Sequence, residues 1–384
     1  MTEPRHLKIL NVAHIRWWSA LAHYAHAVAV SLQRRGHHVI AAGAQNSPYM
    51  DRCITSGLPT LKGIRSAGNG MTGRMPSLFL IRRMIREGEL DVLIVHTGPG
   101  HGELALSRWG MKEKVLLIRA RPEIRPPRDN MVNRVLHRRL TDRILLSGEF
   151  MKKDHYSGWF LDSGRMTVIH GGVDVEHFSR ERWEGEAAEI RKRFGLSRRS
   201  TLVGLIGRLS PVKGHRTALE ALLPLMTADE NLQLIFAGGE SQVRWIELAK
   251  KIPGALLARV HYIGQVPDAA PAMTACDAVL IPSTGSEAVC RVAMECLALG
   301  VPVVGTSVNV IPEVIQDGET GWIVPPGDPA ALRRTVDAIM KNPDEARRRA
   351  ERGHAAAQKL YSWDALGGRL EGLLWQALAG DDWD

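Results

Sequence analysis

Cysteine is scarce in this sequence, and no metal-ligand pattern is built from it. The chain has 384 residues, of which 4 are cysteines, and no two of them form a CxxC pair. Cysteine-based zinc sites need such close spacings, so we expect no metal site. The cysteines lie mostly in apolar stretches, where we expect small buried side chains. They are Cys53, Cys276, Cys290 and Cys296.

Long apolar runs are also absent. No stretch approaches the ~20 consecutive apolar residues that a membrane-spanning helix needs. The opening MTEPRHLKILNVA has neither the apolar segment nor the small-residue cleavage site of a secretory signal. We therefore expect a cytoplasmic protein, and we leave open a peripheral position at the inner face of the membrane.

Acidic residues are scarce in the first half of the chain only. Residues 1–172 contain 26 Lys and Arg against 13 Asp and Glu, whereas residues 173–384 contain 24 against 28. The net charge of +9 therefore comes from the first half. A basic half suggests a polyanionic partner, for which nucleic acid, an anionic membrane surface and a phosphorylated substrate are the candidates.

Strand-like and helix-like segments alternate from one end of the chain to the other. Many of the strand-like segments are almost entirely apolar, as in DVLIVHTG, KVLLIRA and STLVGLIGRL. Such strands, separated by helices, are typical of parallel sheets that are covered on both faces. The chain is therefore predicted to be an α/β protein with two doubly wound, Rossmann-like domains facing across a cleft.

The boundary between the two predicted domains lies in a polar segment that contains the charged helix EGEAAEIRKRF. We place the first domain at residues 1–175 and the second at 176–361. Residues 362–384 are expected to include a helix that packs back on the first domain. In doubly wound folds ligands bind at the carboxyl ends of the strands, so residues that follow strands are the informative ones.

The segment GLIGRLSPVKG places two cations directly after a predicted strand. The strand ends at Gly207, and Arg208 and Lys213 follow it. A glycine permits close approach of a ligand, and two cations beside a helix start suit a diphosphate. The alternative, which this segment alone leaves open, is an ordinary strand–loop–helix connection with two solvated cations.

Two glutamates eight residues apart occupy the segment GSEAVCRVAMECLALG. We predict a helix over 287–299, with Glu287 at its start and Glu295 two turns later on the same side. Carboxylates accept hydrogen bonds from sugar hydroxyls, and a helix amino terminus offers N–H groups to phosphate. The alternative is a glutamate that favours the helix dipole, together with a second one whose hydrogen bonds are satisfied internally.

Taken together, the motifs of the second half resemble those of a known family. In order they are GRLSPVKG, GQVPD and CDAVLIPSTGSEAVCRVAMECLALGVPVVG. Their order and spacing resemble the retaining glycosyltransferases of family 4, which have the twin-domain GT-B architecture. VIHGGVDVEHF and YSWDAL extend the resemblance to nearly the whole chain.

The resemblance implies a role for each motif in binding a nucleoside-diphosphate sugar. Gly207, Arg208 and Lys213 would hold the diphosphate, and Glu287 the hydroxyls of the transferred sugar. Glu295 would bind the ribose. The backbone N–H groups of Ala288, Val289 and Cys290 would bind phosphate, and the backbone at Gln265 and Val266 would form the base site. The resemblance also implies that no metal or other cofactor is needed, because cations and a helix terminus stabilise the leaving diphosphate.

The first half departs from the family pattern. The loop after the first strand reads NVAHIRWWSALAHYAH and contains no glycine, and the histidine usual after a mid-domain strand is missing from LLIRARPEIRPPRDN. Polar residues that we place at the acceptor site or cleft instead are His14, His96, His101, Arg121 and Glu123. The tryptophans of the WW pair either stack on a ligand or belong to the core.

The expected activity is transfer of a sugar, with retention, from a nucleoside-diphosphate sugar to a saccharide or lipid-linked acceptor, as in lipopolysaccharide synthesis. The eight arginines at 119–143 would face that acceptor or an anionic membrane surface, unless they form a solvated helix face. Nucleic acid is not expected, because no recognition motif is present. Two alternatives stay open: a sugar-nucleotide epimerase of the same architecture, and a non-catalytic nucleotide-sugar binding protein.

Overall fold

A computed structural model describes residues 6–62, 64, 75–158, 160, 162–197 and 199–379. The chain forms two compact units. The first comprises Met1–Gly172 and Trp363–Asp384, and the second comprises Val173–Ser362. Within the described ranges, no helix combines the length and apolar content that a membrane crossing requires. The sequence motif DWD at 382–384 lies outside the described residues.

The first unit is built on a six-stranded parallel sheet of order β2-β1-β3-β4-β5-β6. Its strands are β1 Lys8–Ala13, β2 His38–Gly43, β3 Val92–Val95, β4 Leu116–Arg121, β5 Arg143–Leu146 and β6 Met166–Val168. The strand order reverses between β1 and β3, which places the ligand-binding edge of this sheet at their carboxyl ends.

The second unit repeats the architecture with a sheet of order β12-β11-β10-β7-β8-β9, again all parallel. Its strands are β7 Thr201–Ile206, β8 Leu232–Ala237, β9 Val260–Tyr262, β10 Ala278–Ile281, β11 Val303–Thr306 and β12 Trp322–Val324. Here the order reverses between β7 and β10. The prediction of two doubly wound α/β units is confirmed, although β12 was not predicted.

Helices connect the strands in both units. In the first unit they are α1 Ala20–Arg34, α2 Pro48–Thr55, α3 Met75–Arg86, α4 Gly98–Arg108 and α5 Met131–Arg138. In the second unit they are α6 Arg180–Arg193, α7 His215–Ala228, α8 Trp245–Ala249, α9 Gly254–Leu257, α10 Ala270–Ala275, α11 Arg291–Ala298, α12 Ile311–Val314, α13 Pro329–Lys341 and α14 Pro343–Ala356. The helix α15, Trp363–Ala379, returns to the first unit.

Helix α15 packs along α1 in the first unit. Arg35, just after α1, donates from Nε and Nη2 to Glu371 Oε2 at 2.9 and 2.6 Å. Gly367 lies against the carbonyl of Ser31, and a Cβ at this position would stand 2.7 Å from that oxygen. The first unit therefore includes a segment that follows the whole second unit along the chain.

Two predicted helix starts differ from the structure. The segment DNMVNRVLHRRL predicts a helix with Asp129 as its N-cap. The N-cap of α5 is instead Asn130, whose side chain accepts a hydrogen bond from the N–H of Asn133. Both residue types suit this position, so the sequence could not separate them. Helix α11 begins at Arg291, four residues later than the predicted start at Glu287.

The loops after β7 and β10 approach each other closely at Gly214. This glycine has a φ of +72°, and a Cβ added to it would stand 1.9 Å from the carbonyl oxygen of Pro282. Just beside it, Thr284 donates its N–H to the carbonyl of Val212 at 2.9 Å. Only glycine fits here, because both the backbone conformation and the space exclude a side chain.

We expect Gly214→Ala to destabilise the second unit much more than Gly327→Ala. Gly327 has nearly the same φ, +71°, but a Cβ there meets nothing within 4 Å. Its substitution should cost roughly 1–2 kcal/mol for the left-handed backbone alone, and Gly214→Ala about 1–3 kcal/mol more for overlap. Denaturant unfolding of both variants measures the difference, and equal losses would contradict the close approach.

Candidate functional site

The polar residues predicted to bind a nucleotide sugar converge at the carboxyl ends of β7 and β10. These two strands are neighbours, and they flank the point where the strand order reverses. Arg208 and Lys213 follow β7, whereas Glu287 follows β10. The expected ligand-binding edge of a doubly wound sheet therefore carries two cations and a carboxylate.

Glu287 is held by contacts from two loops. Lys213 Nζ forms an ion pair with Glu287 Oε1, and Ser283 Oγ donates to the same oxygen at 2.6 Å. The Ser283 carbonyl in turn accepts from Thr306 Oγ1, at the end of β11, at 2.6 Å. Glu287 is 5% exposed. In the described part of the chain both of its contacts use Oε1, which leaves Oε2 for a ligand.

Arg208 is the exposed cation of this site. Within the described ranges it forms no hydrogen bond and no ion pair, whereas the Lys213 ammonium is already paired with Glu287. A guanidinium with free donors and an ammonium next to it can together neutralise a diphosphate.

Sequence reasoning missed His215, the first residue of α7. It is 2% exposed and lies beneath the loop that carries Arg208 and Lys213, in contact with the backbone at Gly207 and Ser210. Burial, opposed by those backbone contacts, lowers its pKa to about 4, and the positive charge of Lys213 acts in the same direction. His215 therefore supports the loop as a neutral ring. The only sequence signal for His215 is its position directly after Lys213 and Gly214, at the end of the segment GLIGRLSPVKG.

The segment from Glu287 to α11 is a loop rather than the predicted first helical turn. Ser286 and Cys290, which is the N-cap of α11, both have left-handed backbone conformations, with φ of 59° and 49°. The carbonyl of Glu287 accepts a hydrogen bond from the N–H of Val310 at 3.3 Å. The left-handed backbone of Cys290 interrupts a right-handed helix, so Glu287 lies in the loop before α11.

The residues between the two glutamates are largely buried. Ala288 is half-buried, whereas Val289 and Cys290 are 1% and 2% exposed. Burial raises the pKa of the Cys290 thiol, and the negative charge of Glu287 adds to the rise. The charges of Lys213 and Glu295 act on the same thiol. The Cys290 thiol therefore stays protonated near neutral pH.

Glu295 is entirely buried, which differs from the simple expectation of a carboxylate presented to a ligand. Its exposure is 0%, and Arg291 Nη1 lies 3.1 Å from its Oε1. The Arg291 side chain is 34% exposed. In this structure, Arg291 is therefore the member of the pair that faces solvent.

The predicted base site lies at the ends of β8 and β9. Gly238 donates its N–H to the carbonyl of Gly264 at 2.7 Å, which joins the two loops. Gln265 is exposed and its side chain lies over Gly239, while Val266 is half-buried. The exposed Gln265 is thus available to a ligand at this edge of the sheet.

The first unit places its predicted polar residues near the carboxyl ends of β1, β3 and β4. His14 follows β1 and lies against Gly100. His96 is fully buried, with Nε2 2.8 Å from Asn11 Oδ1, and His101 Nε2 lies 2.8 Å from Thr141 Oγ1. Both rings therefore have partners inside the unit.

Arg121 and Glu123 belong to a buried ionic cluster around Arg119, which sequence reasoning did not single out. Arg119 is 0% exposed, and its Nη2 lies 3.4 Å from Glu123 Oε2, while Arg121 Nη2 lies 3.2 Å from the same oxygen. Arg121 also donates to Tyr156 Oη at 2.5 Å. Glu123 is 40% exposed. The two-residue spacing of Arg119 and Arg121 in β4, continued by Glu123 after the strand, was the signal that could have revealed this cluster.

A separate cavity of about 830 Å³ lies at the opposite edge of the second sheet. It is lined at the amino-terminal ends of β7 and β10 by Thr201 and Ala278, and by Pro302 before β11. None of the predicted nucleotide-sugar residues lines it. Among the described residues, no group of three or more His, Cys, Asp or Glu side chains is arranged to hold a metal ion.

We expect acidification to destabilise the first unit. Burial, with the charge of Arg119, lowers the pKa of His96 to about 3, and burial lowers that of His137 to about 4. The unfolded chain takes up these protons first, from about pH 6.5 downward. The free energy of unfolding should therefore fall between pH 6.5 and 4, by up to about 1.4 kcal/mol per pH unit for each histidine.

Denaturant unfolding of the wild type and of His96→Gln at pH 7 and pH 5 measures this effect. The amide can keep a hydrogen bond to Asn11 but does not titrate in this range. The variant should lose less stability on acidification than the wild type. An equal loss would contradict a role for His96 in the acid sensitivity.

Two family models match the chain, one in each half. The model described as Glycosyltransferase Family 4 matches residues 21–177, and the model described as Glycosyl transferases group 1 matches residues 186–356. The second match contains all the polar residues discussed at the ends of β7 and β10.

Curated relatives align with most or part of the chain. A phosphatidyl-myo-inositol mannosyltransferase of Mycobacterium leprae is 28% identical over 301 residues, which cover 76% of this chain and 74% of the relative. A D-inositol 3-phosphate glycosyltransferase of Mycobacterium sp. strain KMS is 30% identical over 223 residues. That alignment covers 56% of this chain and 48% of the relative, about half its length.

Solved structures share the fold. The crystal structure of Anabaena HepE in complex with UDP superposes with a TM-score of 0.80 at 18% identity, covering 96% of this chain and all of that one. At this identity the likeness shows the GT-B fold alone.

Proposed function

Because this chain is a glycosyltransferase of family 4 with the GT-B fold, we propose that it transfers a sugar from a nucleoside-diphosphate sugar to an anionic glycolipid acceptor with retention of anomeric configuration. The observation that carries the proposal is the ion pair between Lys213 and Glu287, at the strand-order reversal of the second sheet. Arg208, whose exposed guanidinium has no partner among the described residues, follows the same strand as Lys213. A cationic site next to a carboxylate matches a diphosphate joined to a sugar.

Each residue has a proposed part in the reaction. Arg208 and Lys213 bind the diphosphate and stabilise the charge that develops on it as the glycosidic bond breaks. Lys213 has three N–H donors, so it can keep Glu287 and still take a phosphate oxygen. Glu287 Oε2 accepts from a hydroxyl of the transferred sugar. The acceptor hydroxyl attacks from the same face, and the leaving phosphate takes its proton.

The acceptor is proposed from two features. In the first unit, Arg125 and Arg128 follow β4 and are exposed, and guanidinium groups suit a phosphorylated molecule. Two relatives are named for reactions on phosphatidyl-myo-inositol and D-inositol 3-phosphate. A phosphorylated, lipid-linked inositol fits both features, whereas a phosphorylated saccharide such as a lipopolysaccharide core fits the first.

Purified protein incubated with labelled UDP-, GDP- and ADP-sugars tests the proposal. Each donor is assayed with phosphatidylinositol, with a lipopolysaccharide core acceptor and without acceptor, in the presence of EDTA. Release of nucleoside diphosphate and label transfer only with an acceptor support it. Conversion to an isomeric donor without acceptor would indicate an epimerase, and saturable binding without turnover a non-catalytic protein.

Lys213→Ala should lower kcat by about 10²-fold or more, because the developing phosphate charge loses its nearest cation. The matched control is Lys251→Ala, which removes an exposed lysine from the same unit. Thermal unfolding of both variants verifies that they are folded. Unchanged transfer kinetics in Lys213→Ala would exclude this role.

Helix α5 is proposed as the membrane contact that brings the protein to a lipid-linked acceptor. Three of its apolar side chains face solvent, with Met131 and Val132 each 75% exposed and Val135 44% exposed. Arg134 and Arg138 lie exposed on the same helix. Exposed apolar residues next to cations are typical of helices that lie in an anionic membrane interface.

The double variant Met131→Ser/Val132→Ser should bind anionic vesicles roughly tenfold or more weakly, because it loses apolar burial. Cosedimentation with phosphatidylcholine vesicles, with and without phosphatidylglycerol, measures the change at two salt concentrations. Ile246→Ser, which removes a 56% exposed side chain from α8, is the control. Equal binding by wild type and double variant would remove α5 from the proposal.

A further inference from the structure

The second unit contains a cavity that the proposed transfer reaction does not use. It has a volume of about 830 Å³ and lies at the amino-terminal ends of β7 and β10, whereas the candidate donor site lies at their carboxyl ends. Small-molecule sites in proteins usually measure roughly 300–1,000 Å³. The cavity is therefore large enough to hold a ligand of its own.

Helix α14 forms one wall of this cavity. Its lining residues recur every three or four positions, so they share one face of the helix. They are Pro343, Ala346, Arg347, Ala350, Glu351 and His354. Between the first and the last of them the helix advances about 16 Å. Helix α6 contributes Arg180 and Glu181 from its first turn. The cavity thus extends along about three turns of α14, which is longer than a single sugar unit.

The inner surface of the cavity is largely apolar but includes a hydroxyl. Val203, Leu299 and Val336 line it and are each at most 1% exposed. Thr274, at the end of α10, lines it as well and is 5% exposed. Among the residues that the structure describes, Thr274 Oγ1 has no hydrogen-bond partner. Buried hydroxyls are normally hydrogen-bonded, so a ligand with polar groups would stabilise this wall.

His354 adds a hydrogen-bond acceptor to the lining. Its Nδ1 lies 2.6 Å from the carbonyl oxygen of Ala298. A carbonyl oxygen can only accept, so Nδ1 carries the hydrogen of this bond, and Nε2 of the neutral ring is an acceptor. The structure gives Nε2 no partner in the described part of the chain, and the side chain is half-buried. Nε2 is therefore available to a ligand.

Positive and negative side chains are balanced around the cavity. Three arginines and three carboxylates line it: Arg180, Arg191 and Arg347, and Glu181, Asp277 and Glu351. Arg191 and Asp277 form an ion pair at 3.0 Å. The other four form no ion pair within the described ranges, although Arg347 and Glu351 are one helical turn apart. Each helix thus presents a guanidinium next to a carboxylate, and no part of the rim has a single sign.

This balance determines the class of ligand. A charged ligand that is attracted by the arginines is repelled by the neighbouring glutamates, and the reverse holds for a cation. A sugar hydroxyl donates one hydrogen bond and accepts two. Neighbouring hydroxyls can therefore bind a guanidinium and a carboxylate at once without any net charge. The C–H groups of the sugar ring can pack against the apolar inner surface.

We infer that the cavity of the second unit binds a neutral saccharide of more than one sugar unit. The hydroxyls of the saccharide contact Arg347, Glu351 and His354 on α14, and Arg180 and Glu181 on α6. This site goes beyond the proposed transfer reaction and does not depend on it. It would hold a glycan at the edge of the sheet opposite to the donor site.

Nuclear magnetic resonance of the full chain with methyl-labelled methionine tests the inference. Met340 lines the cavity, and its signal is assigned with Met340→Leu, which conserves volume. Maltotriose, mannotriose and isomaltotriose are the neutral probes, while glycerol phosphate, spermidine and triglycine are the anionic, cationic and zwitterionic ones. At least one trisaccharide should shift the Met340 signal saturably, with the same Kd at low and high salt, because a neutral ligand makes no charge–charge contact.

The double variant Arg347→Ala/Glu351→Ala should bind that trisaccharide roughly tenfold or more weakly, because hydrogen bonds to charged groups are lost. The matched control is Asp344→Ala/Arg348→Ala. It removes the same two charges at the same spacing from the same helix, but neither residue belongs to the lining. All four side chains are exposed, so both variants should fold, as thermal unfolding will verify. The control should bind like the wild type.

Three results would each overturn the inference. The first is no saturable shift of Met340 with any of the trisaccharides up to about 20 mM. The second is equal binding by the two double variants, and the third is tighter binding of a charged or zwitterionic probe. Lys213→Ala should bind the trisaccharide like the wild type, whereas loss of binding would assign the saccharide to the donor site. The saccharide site and the transfer reaction can therefore fail independently.

Discussion

The candidate donor site depends on one close approach between two loops. The carbonyl of Pro282, after β10, occupies the space where any side chain at position 214 would lie. Because the loops meet there, the ammonium of Lys213, after β7, reaches the carboxylate of Glu287, which lies in the loop after β10. Backbone packing thus holds the opposite charges side by side. This reduces the side-chain entropy that is lost when the ion pair forms.

The fold could be predicted from the sequence because its signals are regular. Parallel strands buried on both faces leave continuous apolar runs, and these runs identify most strands of both sheets. Strand β12, Trp322–Val324, is the strand that these runs did not identify. The cations after β7 were found because the sequence places them immediately after such a run.

The fine geometry of the site could not be predicted in the same way. The left-handed residues Ser286 and Cys290 carry no sequence signal, since side chains of these types rarely adopt that conformation. Helical periodicity placed Glu287 on a helix, whereas contacts from Ser283 and Lys213 hold it in a loop. Such contacts join residues far apart in sequence, and local patterns do not contain them. The burial of Glu295 behind Arg291 is a further example.

Two buried groups of the first unit, Arg119 and His96, keep a single protonation state near neutral pH. Burial and the charge of Arg121 lower the pKa of Arg119, but only to about 9, so its guanidinium remains protonated. That cation, together with burial, keeps His96 neutral. Near neutral pH Arg119 therefore contributes a positive charge at β4, whereas His96 contributes none.

The chain path described for helix α15 has a consequence for biosynthesis. The segment that packs on α1 is translated only after every residue of the second unit. On the ribosome, the second unit can therefore form all of its contacts before helix α15 of the first unit has been synthesised. A nascent chain stalled before residue 363 would expose the surface of α1 that α15 normally covers, which makes that surface a natural target for chaperones.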